Sequence, residues 1–160
     1  MVFYDRGSEF KAEFSDECAK RGIMCRGSPP HYHSPNGLVE RHIGVLKPAM
    51  RGLMLDSRVP LNFWPYAIRT ASYLHNRVVS QLHGLTPYQA MHGRAPTVSH
   101  LRVFGAPCYP YEQKQLRSDE FKVAHPMVFV GYDCHSDGYL VRDGQGKVLE
   151  RRTVAFDEFW

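Results

Sequence analysis

Acidic residues are absent from the middle of this chain: residues 61–110 carry four arginines and neither Asp nor Glu. Cysteine is also scarce, with Cys18, Cys25, Cys108 and Cys134 far apart and no CxxC pair. That excludes a disulfide-dense scaffold and a zinc ribbon, and it fits ordinary thiols in a reducing compartment. No apolar run approaches the roughly 18 residues of a spanning helix, and the start, MVFYDRGSEF, turns polar at once. The expectation is a protein of nucleus or cytoplasm, neither secreted nor embedded in a membrane. Internal repeats and low-complexity tracts are missing too.

What is present suits one globular domain, or one domain plus a small second unit, with 43% hydrophobic and 12% aromatic residues. The net charge of +4 is unevenly spread. Residues 1–60 hold nine Lys/Arg against seven Asp/Glu, residues 61–110 four against none, and residues 111–160 seven against nine. The first two-thirds are therefore basic, which suits a polyanionic partner and equally a solubilising surface.

Phe10, Phe14 and Cys18 recur at helical spacing before Gly22, and Ile23–Cys25 has the character of a brief strand. The stretch 26–37, with three prolines and two glycines, is a loop. A long helix is expected from Leu38 to about Asp56, kinked or split at Pro48, where the ring removes a backbone hydrogen bond at a cost of about 3 kcal/mol. A second helix runs from about Asn62 to Arg77. A third is bounded by Thr86 as N-cap, Pro87 at its first position, Gln89 completing a capping box and Gly93 as its stop. Beyond Gly93 the apolar runs 101–104, 126–132, 139–141 and 153–156 are expected as strands, with a hairpin at Asp143–Gly146.

Asp5 follows the apolar VFY and precedes a glycine by two, as a residue at the end of a core strand does, and Glu40 falls on the first turn of the long helix. Carboxylates so placed can share a divalent cation, since Mg²⁺ takes a few hard oxygen ligands and leaves positions for substrate phosphates. Spacing alone does not decide it. Asp5 reads equally as a turn residue and Glu40 as a favourable charge at a helix N-terminus. His31 and His33 lack a third ligand and are read as surface groups.

Seven ordered segments carry a more specific signal: DRGSEF at 5–10, NGLVER at 36–41, FWPYAIRTASYLHNR at 63–77, TPYQAMHGRAP at 86–96, SHLRVFGAPCY at 99–109, FVGYD at 129–133 and VAFDE at 154–158. In order, they resemble the landmarks of copia-type retrotransposon integrases, within the Pol polyprotein of that transposable element, and of the segment after the integrase core. The resemblance implies an α+β fold: the C-terminal part of a ribonuclease-H-like core over residues 1–98, mostly helical here, then a small antiparallel β-barrel of the Src-homology-3 type over residues 99–160. It implies DNA integration, in which three acidic residues hold two metal ions, Mg²⁺ or Mn²⁺, and DNA ends are joined to a target by phosphoryl transfer.

Asp5 matches the second of those acids and Glu40 the third, as both catalytic and metal-binding residues, while the first lies upstream of Met1 in the family's order. Two departures accompany this: Arg6 stands where the family has asparagine, and the Asp-to-Glu interval is one residue short. An isolated fragment of this kind is expected to be inactive. Asn36 matches a polar loop position that approaches DNA. Lys47, about two helical turns after Glu40, is a candidate phosphate contact, and Arg41 and Arg51 add positive potential. The aromatics Phe63, Trp64, Tyr66, Tyr73 and Phe104 are read as packing groups. Expected partners are DNA, both transposon ends and target, and an integrase oligomer or other polyprotein segments. The competing readings are a non-catalytic nucleic-acid or protein binding module and a transposon relic without a selected role.

Overall fold

The structure, a computed structural model, describes residues 2–4, 13–27, 37–57, 59–81, 84–111, 125–133 and 136–158. By packing the chain divides into two compact units, Met1–Val45 and Leu46–Trp160. The 98/99 boundary expected from the sequence is a division by motif; the division by packing falls inside a helix.

In the first unit, strands β1 (Val2–Tyr4) and β2 (Cys25–Gly27) pair in parallel, and helix α1 (Glu13–Lys20) lies between them in the chain. A parallel pair needs such a crossover, because a tight turn only reverses direction. The expected amphipathic helix is α1, with Cys18 buried and the Phe14 ring edge-on to Tyr4 at 5.8 Å. It ends where Gly22 adopts φ +65° and the Ile23 amide donates to the Cys18 carbonyl at 2.8 Å. Glycine takes that left-handed conformation without a Cβ penalty.

Helix α2 (Gly37–Ser57) begins in this unit and continues into the second. It is helical without interruption through Pro48, so the expected split does not occur. Pro48 and Gly44, whose carbonyl loses its helical donor, are both exposed, so water can satisfy the freed group.

The second unit adds a 3-10 turn at Leu61–Phe63, helix α3 (Trp64–His75) and helix α4 (Pro87–His92), then strands β3 (Pro107–Pro110), β4 (Met127–Tyr132), β5 (Tyr139–Arg142), β6 (Val148–Arg151) and β7 (Val154–Phe156). The bounds of α4 follow from its caps. The Thr86 hydroxyl accepts from the Gln89 amide at 3.0 Å, and Gly93 closes the helix at φ +70°. The strands form one antiparallel sheet in the order β6-β5-β4-β3-β7. The architecture is α+β, as expected, but the sheet is open instead of closed into a barrel. Its edges are β6 and β7, of four and three residues. Strands so short offer few ladder hydrogen bonds to join two edges across the tilt that closure demands.

The apolar run 127–132 is continuous because β4 is covered on both faces, as an internal strand with cores on either side must be. Val130 joins one cluster with Met54 of α2, Val59, Phe63 of the 3-10 turn, Ala67 of α3, and Phe104 from the segment before β3. Phe129 points into the other, with Cys108, Met127, Tyr132 and Val141. Helix α3 approaches β4 closely at a bulge: the register shifts between Phe129 and Gly131, and a Cβ on Gly131 would lie 2.8 Å from the Thr70 hydroxyl.

The run 101–104 is not a strand. Its amides have other partners, Arg102 donating to the Tyr132 hydroxyl at 2.9 Å and Val103 to the Glu158 carboxylate at 3.1 Å. Strand β3 starts only after Gly105 turns the chain at φ +85°. The hairpin falls where its sequence indicates: Asp143 Oδ1 accepts from the Gln145 and Lys147 amides, both at 2.9 Å, and Gly146 takes φ +91°.

Candidate nucleic-acid and metal site

Four of the six sequence-predicted site residues are described, and all four lie on α2. Glu40 sits in its first turn, where a carboxylate opposes the positive end of the helix dipole and needs no metal to be favourable. Glu40 and Arg41 fall within the first packing unit, Lys47 and Arg51 within the second. Each side chain is exposed. Among the described residues the ion pairs are those of Glu17 with Lys20 and Arg21, so none of these three cations is neutralised by a salt bridge there. Exposed, uncommitted Lys and Arg side chains are free to exchange water and counterions for phosphate oxygens.

Asp5 and Asn36 lie outside the described residues, as do His31 and His33. Among the described residues no three His, Cys, Asp or Glu side chains gather as a metal site would require. Glu40 supplies one carboxylate, and the described residues alone do not fit a two-metal centre.

A second locus, which periodicity does not reveal, lies within the second unit. A cavity of about 360 Å³ is walled by Tyr73 and Arg77 of α3 and its end, Tyr88 of α4, Arg94, His100, and Asp133, Ser136 and Asp137 from between β4 and β5. Tyr73 stacks on Tyr132 at 4.2 Å between centroids, and the Arg77 guanidinium lies 3.4 Å over the Tyr73 ring. The Tyr73 hydroxyl and His100 Nε2 are 2.7 Å apart. Burial, and then the Arg77 charge, hold His100 below its ordinary value, which favours the neutral imidazole, whose Nε2 can accept from the phenol. Burial also pushes the Tyr132 phenol up to about 12. The available sequence signal was the content of the motifs. Tyr73 and Arg77, Tyr88 and Arg94, His100, and Tyr132 and Asp133 come from four segments that carry the resemblance yet contribute nothing to a carboxylate site.

Together these features define an α+β protein with an exposed basic helix ahead of an open five-stranded sheet. A chain of the solved "simian T-cell lymphotropic virus intasome in complex with PP2A regulatory subunit B56 gamma" superposes over 97% of this chain and 56% of its own length, at a TM-score of 0.51 and 18% identity, a likeness of fold alone. No family model matches.

Sequence relatives are more specific than the fold. The chain is homologous over nearly all its length to retrovirus-related Pol polyproteins of copia-type transposons. It is 34% identical over 160 residues to the one from transposon RE2 and 35% over 161 to that from RE1, both of Arabidopsis thaliana, and 31% over 157 to that from TNT 1-94 of Nicotiana tabacum. These alignments take in 98%, 98% and 96% of the chain but only 11–12% of the polyproteins, so the chain spans about a tenth of their length. No described helix is long and apolar enough to cross a membrane.

Proposed function

We propose that this chain is the part of a retrotransposon integrase that presents its third carboxylate and a basic helix to DNA, residues 1–98 deriving from the catalytic core and 99–160 from the segment that follows. The supporting observation is α2, which carries Glu40 exposed in its first turn and Arg41, Lys47 and Arg51 exposed without salt bridges. Homology to Pol polyproteins over 98% of the chain supports reading that helix as part of a DNA-integrating lineage. In the complete family site, Asp5 and Glu40 would hold Mg²⁺ or Mn²⁺, which supplies activation of the attacking hydroxyl and stabilisation of the leaving oxygen. Lys47 and Arg51 position the DNA backbone, and Asn36 with Arg41 approaches it near the loop. DNA, the transposon end and the target, is the partner, together with further integrase copies or polyprotein segments.

These 160 residues supply two of the three carboxylates that the resemblance implies, and as an isolated polypeptide they bind DNA without joining it. A strand-transfer assay in Mg²⁺ or Mn²⁺ should give no product, and turnover that Glu40→Gln abolishes would overturn this. Duplex binding should weaken steeply with salt. Lys47→Ala or Arg51→Ala should each lower the slope of log affinity against log salt by about one. No binding even at low salt would remove the DNA contact.

A further inference from the structure

The cavity beside Tyr73 has an unusual pattern of spent and unspent groups. Its volume of about 360 Å³ is that of a small-molecule site. Its aromatic groups are largely committed within the protein. Tyr73 has Tyr132 on one face and Arg77 on the other, and Tyr88 has His92 at 4.3 Å. The Tyr73 hydroxyl is taken by His100 Nε2, that of Tyr139 donates to the His100 carbonyl at 3.1 Å, and that of Tyr132 accepts from the Arg102 amide. A base has no open face on Tyr73 to stack against.

The unspent groups are cationic donors. Arg77 gives one guanidinium nitrogen to the Tyr73 carbonyl at 3.1 Å, but its Nε is buried with no hydrogen-bond partner. Arg77 lines the cavity, so its guanidinium N–H groups other than the inaccessible Nε are the donors that a ligand there can engage. Arg94 lines the same cavity and makes no ion pair among the described residues. Two carboxylates line the same cavity: Asp133, which has interactions of its own, and Asp137. One guanidinium fork fills the two oxygens of a carboxylate ligand, whereas a phosphate has acceptors for two forks.

We propose that this cavity is a phosphate-binding site in which Arg77, braced against Tyr73, and Arg94 hold one phosphate group, either a nucleic-acid phosphodiester or free phosphate. The nucleic-acid source rests on the DNA-joining reading above; the phosphate site does not. Bracing matters because an arginine held on an aromatic face meets its ligand without first losing rotamer freedom.

The test is arginine Nε–Hε NMR on the whole 160-residue chain, the Arg77 resonance being identified by its loss in Arg77→Lys. Inorganic phosphate, titrated at constant ionic strength against chloride, should shift that resonance saturably. Arg94→Gln, at an exposed position outside the core, should weaken the response about tenfold, and Lys20→Ala, on α1 and outside the cavity lining, should leave it unchanged. A short single-stranded oligonucleotide should move the same resonance if the occupant is a phosphodiester. Saturation with phosphate while the oligonucleotide does nothing supports the site with free phosphate as its occupant. A flat phosphate titration, or one unaltered by Arg94→Gln, overturns the site whatever DNA does. Absent duplex binding beside a saturating phosphate arm sinks only the DNA-joining reading.

Discussion

Gly105→Ala is the sharpest test of how the second unit is joined. Gly105 sits at φ +85°, and a Cβ there would fall 2.2 Å from the Ser57 Cβ, 2.9 Å from its Cα and 3.2 Å from its carbonyl oxygen. Two of those atoms are backbone at the end of α2, so no rotamer change relieves the overlap. Gly105 cannot simply withdraw, because its amide donates to the Phe129 carbonyl at 2.8 Å while Phe129 donates to the Ala106 carbonyl at 3.0 Å. The left-handed backbone costs an alanine about 1 kcal/mol or more, and overpacking against fixed atoms typically another 1–3 kcal/mol. A total near 3 kcal/mol is a large share of the 5–15 kcal/mol that holds a domain together, and corresponds to a fall in Tm of roughly 10–20 °C. Thermal and urea melts by circular dichroism measure it, with Gly144→Ala as control, since a Cβ there meets nothing within 4 Å. Adding Ser57→Gly removes the 2.2 Å overlap but leaves the backbone strain, so the double variant should recover only part of the loss. A Gly105→Ala protein melting with Gly144→Ala would refute the interlock.

Three further outcomes follow from the same chemistry. His100 is held below its ordinary value of 6.5, chiefly by burial, so the unfolded chain takes up its proton first. Stability is therefore greatest above that value and falls as pH drops through it towards the lower folded value; the effect is small for so accessible a ring, and His100→Gln should flatten the acid limb of Tm against pH between about 7 and 5. Burial pushes the Cys108 thiol up to about 12, and a hydrogen bond that Cys18 donates to Cys25, together with burial, raises Cys18, so iodoacetamide at pH 8 should label the half-buried Cys25 well ahead of both. Equal labelling rates in the native protein would contradict that packing. Pro48→Ala should raise Tm: restoring an interior helical hydrogen bond gains up to about 3 kcal/mol, offset by about 1 kcal/mol because the unfolded chain is freed, and an unchanged or lower Tm would mean that the proline shapes α2.

Local rules recovered the elements whose cause is local. The bounds of α4 were legible because Thr86, Pro87 and Gly93 act within one helical turn of the backbone groups they satisfy or release. The 143–146 hairpin was legible because Asp143 closes its own turn. The errors came where a distant partner decides. Residues 101–104 have strand composition, yet the Tyr132 hydroxyl and Glu158 claim two of their amides across 30 and 55 residues. Pro48 was expected to kink or split its helix; the split does not occur, and the proline faces solvent, where water can take up the freed carbonyl. Barrel closure depends on whether edges meet, and nothing in a strand's own residues reports which strand will stand beside it.

The candidate site rests on a different kind of signal. Glu40, Arg41, Lys47 and Arg51 were singled out by motif and helical spacing, and all four lie exposed on α2. Tyr73 was read as a packing group, and it does pack, against Tyr132. What that reading could not see is that packing one face of Tyr73 fixes the other as a seat for Arg77, turning a structural aromatic into the support of a charged one. Neither a tyrosine and arginine one turn apart at the end of α3 nor an arginine just past the stop of α4 is required by amphipathic periodicity, because neither builds a core. Residue types that the fold does not demand, brought by four separate segments to one cavity with a buried guanidinium nitrogen left unpaired, place unexplained chemistry in the second unit, apart from the carboxylates. A reading confined to Asp5 and Glu40 accounts for only two of the seven segments that carry the resemblance. The cavity draws residues from four of the others, and that is the physical ground for looking there for a ligand.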